Sequence, residues 1–208
     1  MKLFSLDGPF HRYGTMLFDL ILLNIIWLLC VVFTLGIGTG AATTALFYTI
    51  DKSIIRERGY TFSGFFKSFK ANFLQATIIW IILAVLYAIV LINLFVLDLE
   101  NIPFGIVLIV VNWFVLYQLL IITIYVFPLI SKVEIGNTKQ YLITAFKLAN
   151  GHILASLACL VLVFATGFLQ YVIPLTVLIG TSISAILVSK IVVGYVLKKY
   201  CREEALDV

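Results

Sequence analysis

Three glycines at alternate positions form the segment that most resembles a chemical motif in this sequence. Gly36, Gly38 and Gly40 suggest a loop whose backbone N–H groups hold phosphate. However, the Lys-Ser/Thr pair of a P-loop is missing, and no strand-turn-helix pattern surrounds the segment. Small residues also allow tight turns and close approach of helices, so we favour a structural role over nucleotide binding. The residues predicted to pack against other helices are Gly36, Gly40, Ala41 and Thr44.

The other side chains that often carry chemistry are isolated from one another. Neither His11 nor His152 has a carboxylate or a nucleophile beside it in the sequence, so no catalytic set is indicated. Cys30, Cys159 and Cys201 show no CxxC spacing and no Cys/His cluster, which argues against a disulfide framework or a zinc site. These patterns predict a protein that is not an enzyme and that binds no metal and no cofactor.

Composition identifies the elements that must position these residues. The 208 residues are 63% hydrophobic and 12% charged, whereas a soluble domain has about 25% charged residues. The apolar runs are continuous, which favours helices over a membrane barrel. We therefore predict an all-α, polytopic transmembrane helix bundle that forms a single membrane domain over residues 1–208. About six spans are expected, the second of them short, at 17–35, 41–55, 73–97, 103–130, 153–173 and 174–197.

The positions of Lys and Arg predict the orientation of the spans. These residues concentrate in the connections 51–72 and 131–152 and near both chain ends, whereas the breaks 36–40, 98–102 and 170–174 contain none. Positive residues mark cytoplasmic loops, so both termini and both long connections are predicted to be cytoplasmic. Six crossings satisfy this pattern. Five crossings remain an alternative, because the second predicted span is short. The same rule explains the net charge of +4 without a nucleic-acid partner.

An aromatic and basic segment precedes the third predicted span. Its phenylalanines recur at helical spacing and share one face, while its lysines lie nearer the other. Such a helix either lies in the cytoplasmic headgroup layer or docks into a partner, and the sequence leaves both readings open. The residues predicted to contact the membrane surface or a partner are Phe62, Phe65, Phe66, Lys67, Phe69, Lys70 and Phe73. The connection 131–150 is a weaker second example.

Two ionisable residues lie within the predicted spans. Asp19 is near the start of the first span, and Lys190 is about two turns from the end of the last. They either form an intramembrane polar pair or lie separately at the interfaces, where Lys190 would extend toward the headgroups. Neither position indicates a proton relay in the middle of the membrane.

Three segments resemble YesL-like bacterial membrane proteins. They are Asp19–Asn24 with Trp27, the run Gly40–Leu46 and the basic, Phe-rich stretch Phe65–Lys70. The similarity extends over nearly the whole chain in length and layout, and its most specific part reads GAATTALFYTIDK. The family commonly has a proline before the Gly-Ala-Thr-Thr segment. Here that stretch reads TLGIGTG, so the local turn geometry differs.

This resemblance implies a location and a role. YesL-like proteins are neighbours of carbohydrate-uptake systems in Gram-positive bacteria, which implies a place in the bacterial plasma membrane. The implied function is that of an accessory subunit or regulator of an oligosaccharide ABC importer, with membrane lipids and the permease subunits as partners. A homo-oligomer is compatible with the same surfaces. The alternative is a stand-alone transporter or channel for small solutes, and a membrane enzyme has the least support. The family supplies no catalytic residues to carry over.

Overall fold

A computed structural model of the chain describes residues 9–55, 61–95 and 104–199. These parts contain helices and short connections and no strand, which confirms the predicted all-α fold. The polar break at 98–102 and Cys201 lie outside the described residues, as do both chain ends.

Seven α-helices make up most of the described chain. Two of them continue into a π-helical segment: Ile50–Ile55 follows the second helix and Val192–Leu197 follows the seventh. A short 3₁₀ turn, Pro174–Thr176, joins the last two helices. The helices are α1 (Pro9–Phe33), α2 (Thr39–Thr49), α3 (Thr61–Phe95), α4 (Gly105–Lys132), α5 (Thr138–Gly151), α6 (Ile153–Val172) and α7 (Val177–Ile191).

The length and composition of these helices make the chain a multi-pass membrane protein. In the part of the chain that the structure describes, five helical segments are long and apolar enough to cross a bilayer. The short second span predicted at 41–55 is not among them, so the number of crossings depends on where α2 lies. The five segments are Gly14–Phe33, Thr61–Phe95, Gly105–Ile130, Ile153–Val172 and Pro174–Leu197.

The segment predicted as an amphipathic connecting helix is continuous with the third span. Together they form α3, which has 35 residues and a length of about 52 Å. No proline or glycine interrupts the chain between Gly64 and Phe95, so the backbone hydrogen bonds continue while the surface changes from mixed to apolar. Since a hydrocarbon core is about 30 Å thick, part of α3 extends beyond it.

Helix α2 lies at the centre of the bundle and contacts α1, α3, α4 and α7. It runs antiparallel to the first half of α3, because Gly40 lies beside Ala76 while Thr49 lies beside Gly64. A helix that is apolar or small-sided all round is expected to be buried, and α2 has this composition. Its buried residues are Gly40, Ala41, Ala42, Thr44, Ala45, Leu46, Phe47 and Thr49.

The antiparallel helices α3 and α4 continue well past the start of α2. Tyr87 and Thr123 share a hydrogen bond of 3.0 Å between their hydroxyl groups. Beyond that point most side chains of both helices are exposed. We call residues 81–95 of α3 and 105–117 of α4 the outer hairpin. Its apolar side chains are therefore open to lipid or to another membrane protein.

The last three helices, α5, α6 and α7, complete the bundle through contacts with α4 and α1. Helix α5 packs along the second half of α4, and α6 and α7 form an antiparallel pair. Ser184 of α7 donates a hydrogen bond of 2.7 Å to the Thr166 hydroxyl of α6. Helix α7 also contacts α1, where the Ser182 hydroxyl donates to the Leu20 carbonyl at 3.0 Å. The polar residues of these helices thus join neighbouring helices.

Candidate functional site

A buried ion pair joins the end of α2 to the end of α4. Asp51 lies in the π-helical continuation of α2 and is only 5% exposed. Its carboxylate accepts a charge-assisted hydrogen bond from the ammonium group of Lys132, the last residue of α4. Asp51 and Lys132 are far apart in the sequence, and no short motif predicts that they pair. Two features of the sequence are consistent with the pair. Each residue is the first charged one after an apolar run, and the charge pattern predicts that both runs end on the same side of the membrane.

The glycine-rich segment is packed inside the chain itself. A Cβ atom added at Gly40 would lie 2.4 Å from the Ala76 carbonyl oxygen and 2.7 Å from the Trp80 Cβ. Ala41 and Thr44 are fully buried on the same helix. Three of the four residues predicted to pack helices therefore lie between helices of this chain. Gly36, the fourth, forms the turn before α2.

The Phe-rich segment at the start of α3 divides into buried and exposed parts. Phe65 is fully buried, and its ring stacks on that of Phe69 with centroids 6.1 Å apart. Phe66 and Phe69 are half-buried. The remaining four predicted contact residues are exposed, and we call them the basic aromatic surface. They are Phe62, Lys67, Lys70 and Phe73.

Asp19 and Lys190 lie apart in the structure. Asp19 is half-buried on α1, Lys190 is exposed on α7, and these two described side chains do not form an ion pair. Neutral groups join α1 to α7 instead. In addition to the Ser182 contact, the Asn24 side chain donates to the Val177 carbonyl. This arrangement favours the reading in which the two charged residues act separately.

Two pairs of amide side chains lie along α4. Gln118 of α4 and Asn150, near the end of α5, exchange hydrogen bonds of 3.1 and 3.3 Å. Further along, Asn93 donates to the Oδ1 of Asn112 at 3.3 Å within the outer hairpin. The Gln118–Asn150 pair joins α4 to α5, and these two helices are packed together over much of α5. The Asn93–Asn112 pair joins α3 to α4 in a region that little else of the described chain covers.

Tyr141 connects α5 to the linker that precedes it. Its hydroxyl donates to the Val133 carbonyl at 2.8 Å and accepts a hydrogen bond from the Ile135 backbone N–H at 3.0 Å. The ring is buried, so the hydroxyl satisfies two backbone groups in a site with little access to water. This residue holds the α4–α5 connection in one conformation.

Removing this hydroxyl should loosen the connection. We expect Tyr141→Phe to lower the free energy of unfolding by about 1 kcal/mol, because two backbone groups lose their partner. Thermal unfolding in detergent would measure the change. Tyr171→Phe is the matched control, since that side chain is 84% exposed. Equal effects of the two substitutions would show that the hydrogen bonds of Tyr141 contribute nothing to stability.

The described residues bring together few groups that could do chemistry. Across residues 9–55, 61–95 and 104–199, no three His, Cys, Asp or Glu side chains are arranged to hold a metal ion. His152 lies at the junction of α5 and α6, where its ring meets that of Tyr195 edge-on. Cys30 and Cys159 are free thiols on separate helices.

Part of the chain matches a family model. Residues 20–94 match the family described as "Protein of unknown function, DUF624". The match covers about a third of the chain and includes the closely packed helices α2 and α3. No curated protein and no solved structure matches the chain. The similarity therefore extends over the region that contains Gly40, Asp51 and the basic aromatic surface.

Proposed function

We propose that this protein is a YesL-like accessory subunit or regulator of a bacterial carbohydrate ABC importer. In this proposal it lies in the plasma membrane with both termini in the cytoplasm and packs against the permease subunits. The resemblance at Gly40–Leu46 and Phe65–Lys70 supports the family, and both segments lie within the part that matches DUF624.

The observation that carries the proposal is the amide pair on the outer hairpin. Asn93 and Asn112 are both partly exposed, and the Asn112 amide also donates to the Leu108 carbonyl at 2.8 Å. Large apolar side chains that are open to the surroundings flank the pair. Amides that face lipid are unfavourable, whereas amides between membrane helices form hydrogen bonds across the interface. A partner helix packed on this hairpin would cover both asparagines.

A second contact is available at the opposite end of α3. The basic aromatic surface exposes Phe62, Phe73 and two lysines at the end that the charge pattern places in the cytoplasm. A partner with a cytoplasmic acidic or apolar groove would bind such a surface. Residues 81–95 of the outer hairpin and the basic aromatic surface lie on one continuous helix, α3, so one permease could contact both ends of it.

Removing both outer amides should weaken the complex. We expect Asn93→Leu combined with Asn112→Leu to reduce the permease recovered with the tagged protein by about tenfold, since interhelical hydrogen bonds contribute about 1–2 kcal/mol in membranes. The measurement is quantitative co-purification from membranes in mild detergent. Size-exclusion chromatography of each variant would show whether it remains folded.

Gln118→Leu combined with Asn150→Leu is the matched control, because it also removes an amide pair between two helices, but one that joins α4 to α5. This variant should recover as much permease as the unmodified protein. Two results would contradict the proposal: the unmodified protein recovers no permease, or it forms a homo-oligomer that the double variant dissociates. The second result would assign the hairpin to self-association.

A further inference from the structure

The turn between α1 and α2 lies beside the middle of α3. The Trp80 indole N–H donates to the Gly36 carbonyl at 2.9 Å, and Gly40 lies against the Ala76 backbone. From Trp80, α3 continues to Phe95, which adds about 22 Å along its axis. If this turn lay at the outer membrane surface, the apolar residues 81–95 would extend into water.

The side chains on the turn are large and apolar, and they point away from the protein. The exposed fractions are 81% for Phe33, 88% for Leu35 and 54% for Ile37. No Asp, Glu, Lys, Arg or His interrupts the sequence from Leu20 to Ile50. Three exposed apolar side chains at alternate positions are unfavourable in water and favourable among lipid chains.

The backbone N–H groups of the turn need no water. Every backbone N–H from Thr34 to Thr39 donates a hydrogen bond within the chain, including the Gly38 N–H, which donates to the Thr34 hydroxyl at 3.0 Å. The Gly36 carbonyl accepts hydrogen bonds from Trp80 and from the Thr39 hydroxyl. Backbone polar groups at membrane depth must be hydrogen-bonded within the protein, and the N–H groups of this turn meet that requirement.

We infer that the α1–α2 turn lies inside the hydrocarbon layer, where lipid acyl chains cover Phe33, Leu35 and Ile37. Helices α1 and α2 then form a re-entrant hairpin that enters from one face of the membrane and returns to it. The two crossings predicted at 17–35 and 41–55 are replaced by this hairpin. The Lys and Arg of the following connection stay on the same side as before, so the charge pattern is satisfied equally well.

Depth measurements test this inference directly. Cys30, Cys159 and Cys201 are replaced by alanine, and a single cysteine is introduced by Leu35→Cys or, as the control, by Phe104→Cys. Phe104 precedes α4 at the far end of the outer hairpin and is 83% exposed. A fluorophore sensitive to its surroundings is attached to each cysteine in detergent, and the proteins are reconstituted into vesicles that contain phospholipids brominated along the acyl chain.

We expect brominated acyl chains to quench the fluorophore at position 35 at least twice as strongly as the one at position 104. In intact cells, a membrane-impermeant maleimide should label the Phe104→Cys variant and leave the Leu35→Cys variant unlabelled. Weak quenching at position 35, together with labelling as fast as at position 104, would place the turn in water at the outer surface and overturn the inference.

Discussion

Asp51→Ala is expected to lower the free energy of unfolding by about 3 kcal/mol, because it leaves the Lys132 ammonium group without its buried carboxylate. The Lys132 side chain is 19% exposed, so it keeps some access to water, and the expected cost lies at the lower end of the range for buried pairs. The π-helical continuation of α2 should then separate from the end of α4. Unfolding by a denaturing detergent, followed by intrinsic fluorescence, measures the loss.

A double-mutant cycle separates this ion pair from simple packing. Lys132→Met alone should destabilise the protein by a similar amount, because it leaves Asp51 without this partner. The variant that carries both substitutions should lose less than the sum of the two single effects. Lys190→Met is the matched control, since that lysine is exposed on α7. Strictly additive single effects would contradict a direct coupling between Asp51 and Lys132.

Gly40→Val should destabilise the bundle as strongly as Asp51→Ala. The first added carbon would lie 2.4 Å from the Ala76 carbonyl oxygen, which belongs to the helical backbone of α3 and has little freedom to move. Relieving the overlap requires α2 and α3 to separate, and we expect a loss of about 3 kcal/mol, at the upper end for overpacked cores. Yield of monodisperse protein and thermal unfolding in detergent measure the effect.

Gly167→Val is the control for this substitution. Gly167 lies within α6, is exposed, and has no atom within 4 Å of an added Cβ. Valine there should change stability little, since it removes a flexible glycine from a helix without a clash. If the two variants lost equal stability, the cost would come from the residue type and not from the contact between α2 and α3.

The predictions that depend on long-range sequence patterns agree with the structure. The apolar runs predicted an all-α bundle of membrane helices, and the described residues have that fold. The sequence predicted a boundary near Phe73, between an amphipathic connecting helix and the third span. The structure has no such boundary, because α3 continues through Phe73 without a break. Composition changes at that point from mixed to apolar, but the backbone conformation is the same on both sides. A change in surface polarity therefore does not mark the end of a helix.

The candidate contact residues were only partly predictable. Helical spacing placed the phenylalanines at the start of α3 on one face, yet Phe65 is buried while Phe62 is exposed. Spacing along one helix indicates which side chains share a face, but the helices packed around it determine which of them are covered. The same limit applies to Asn93 and Asn112, because their contact joins residues on different helices.

The sequence by itself determined that this chain is helical and that lipid surrounds much of it, because these properties follow from local hydrophobicity. Only the tertiary structure decided that α2 lies at the centre, that Asp51 meets Lys132 and that the Gly36 turn reaches the middle of α3. Those contacts join residues far apart in the chain. They depend on how closely small side chains allow helices to approach one another, which no single helix specifies.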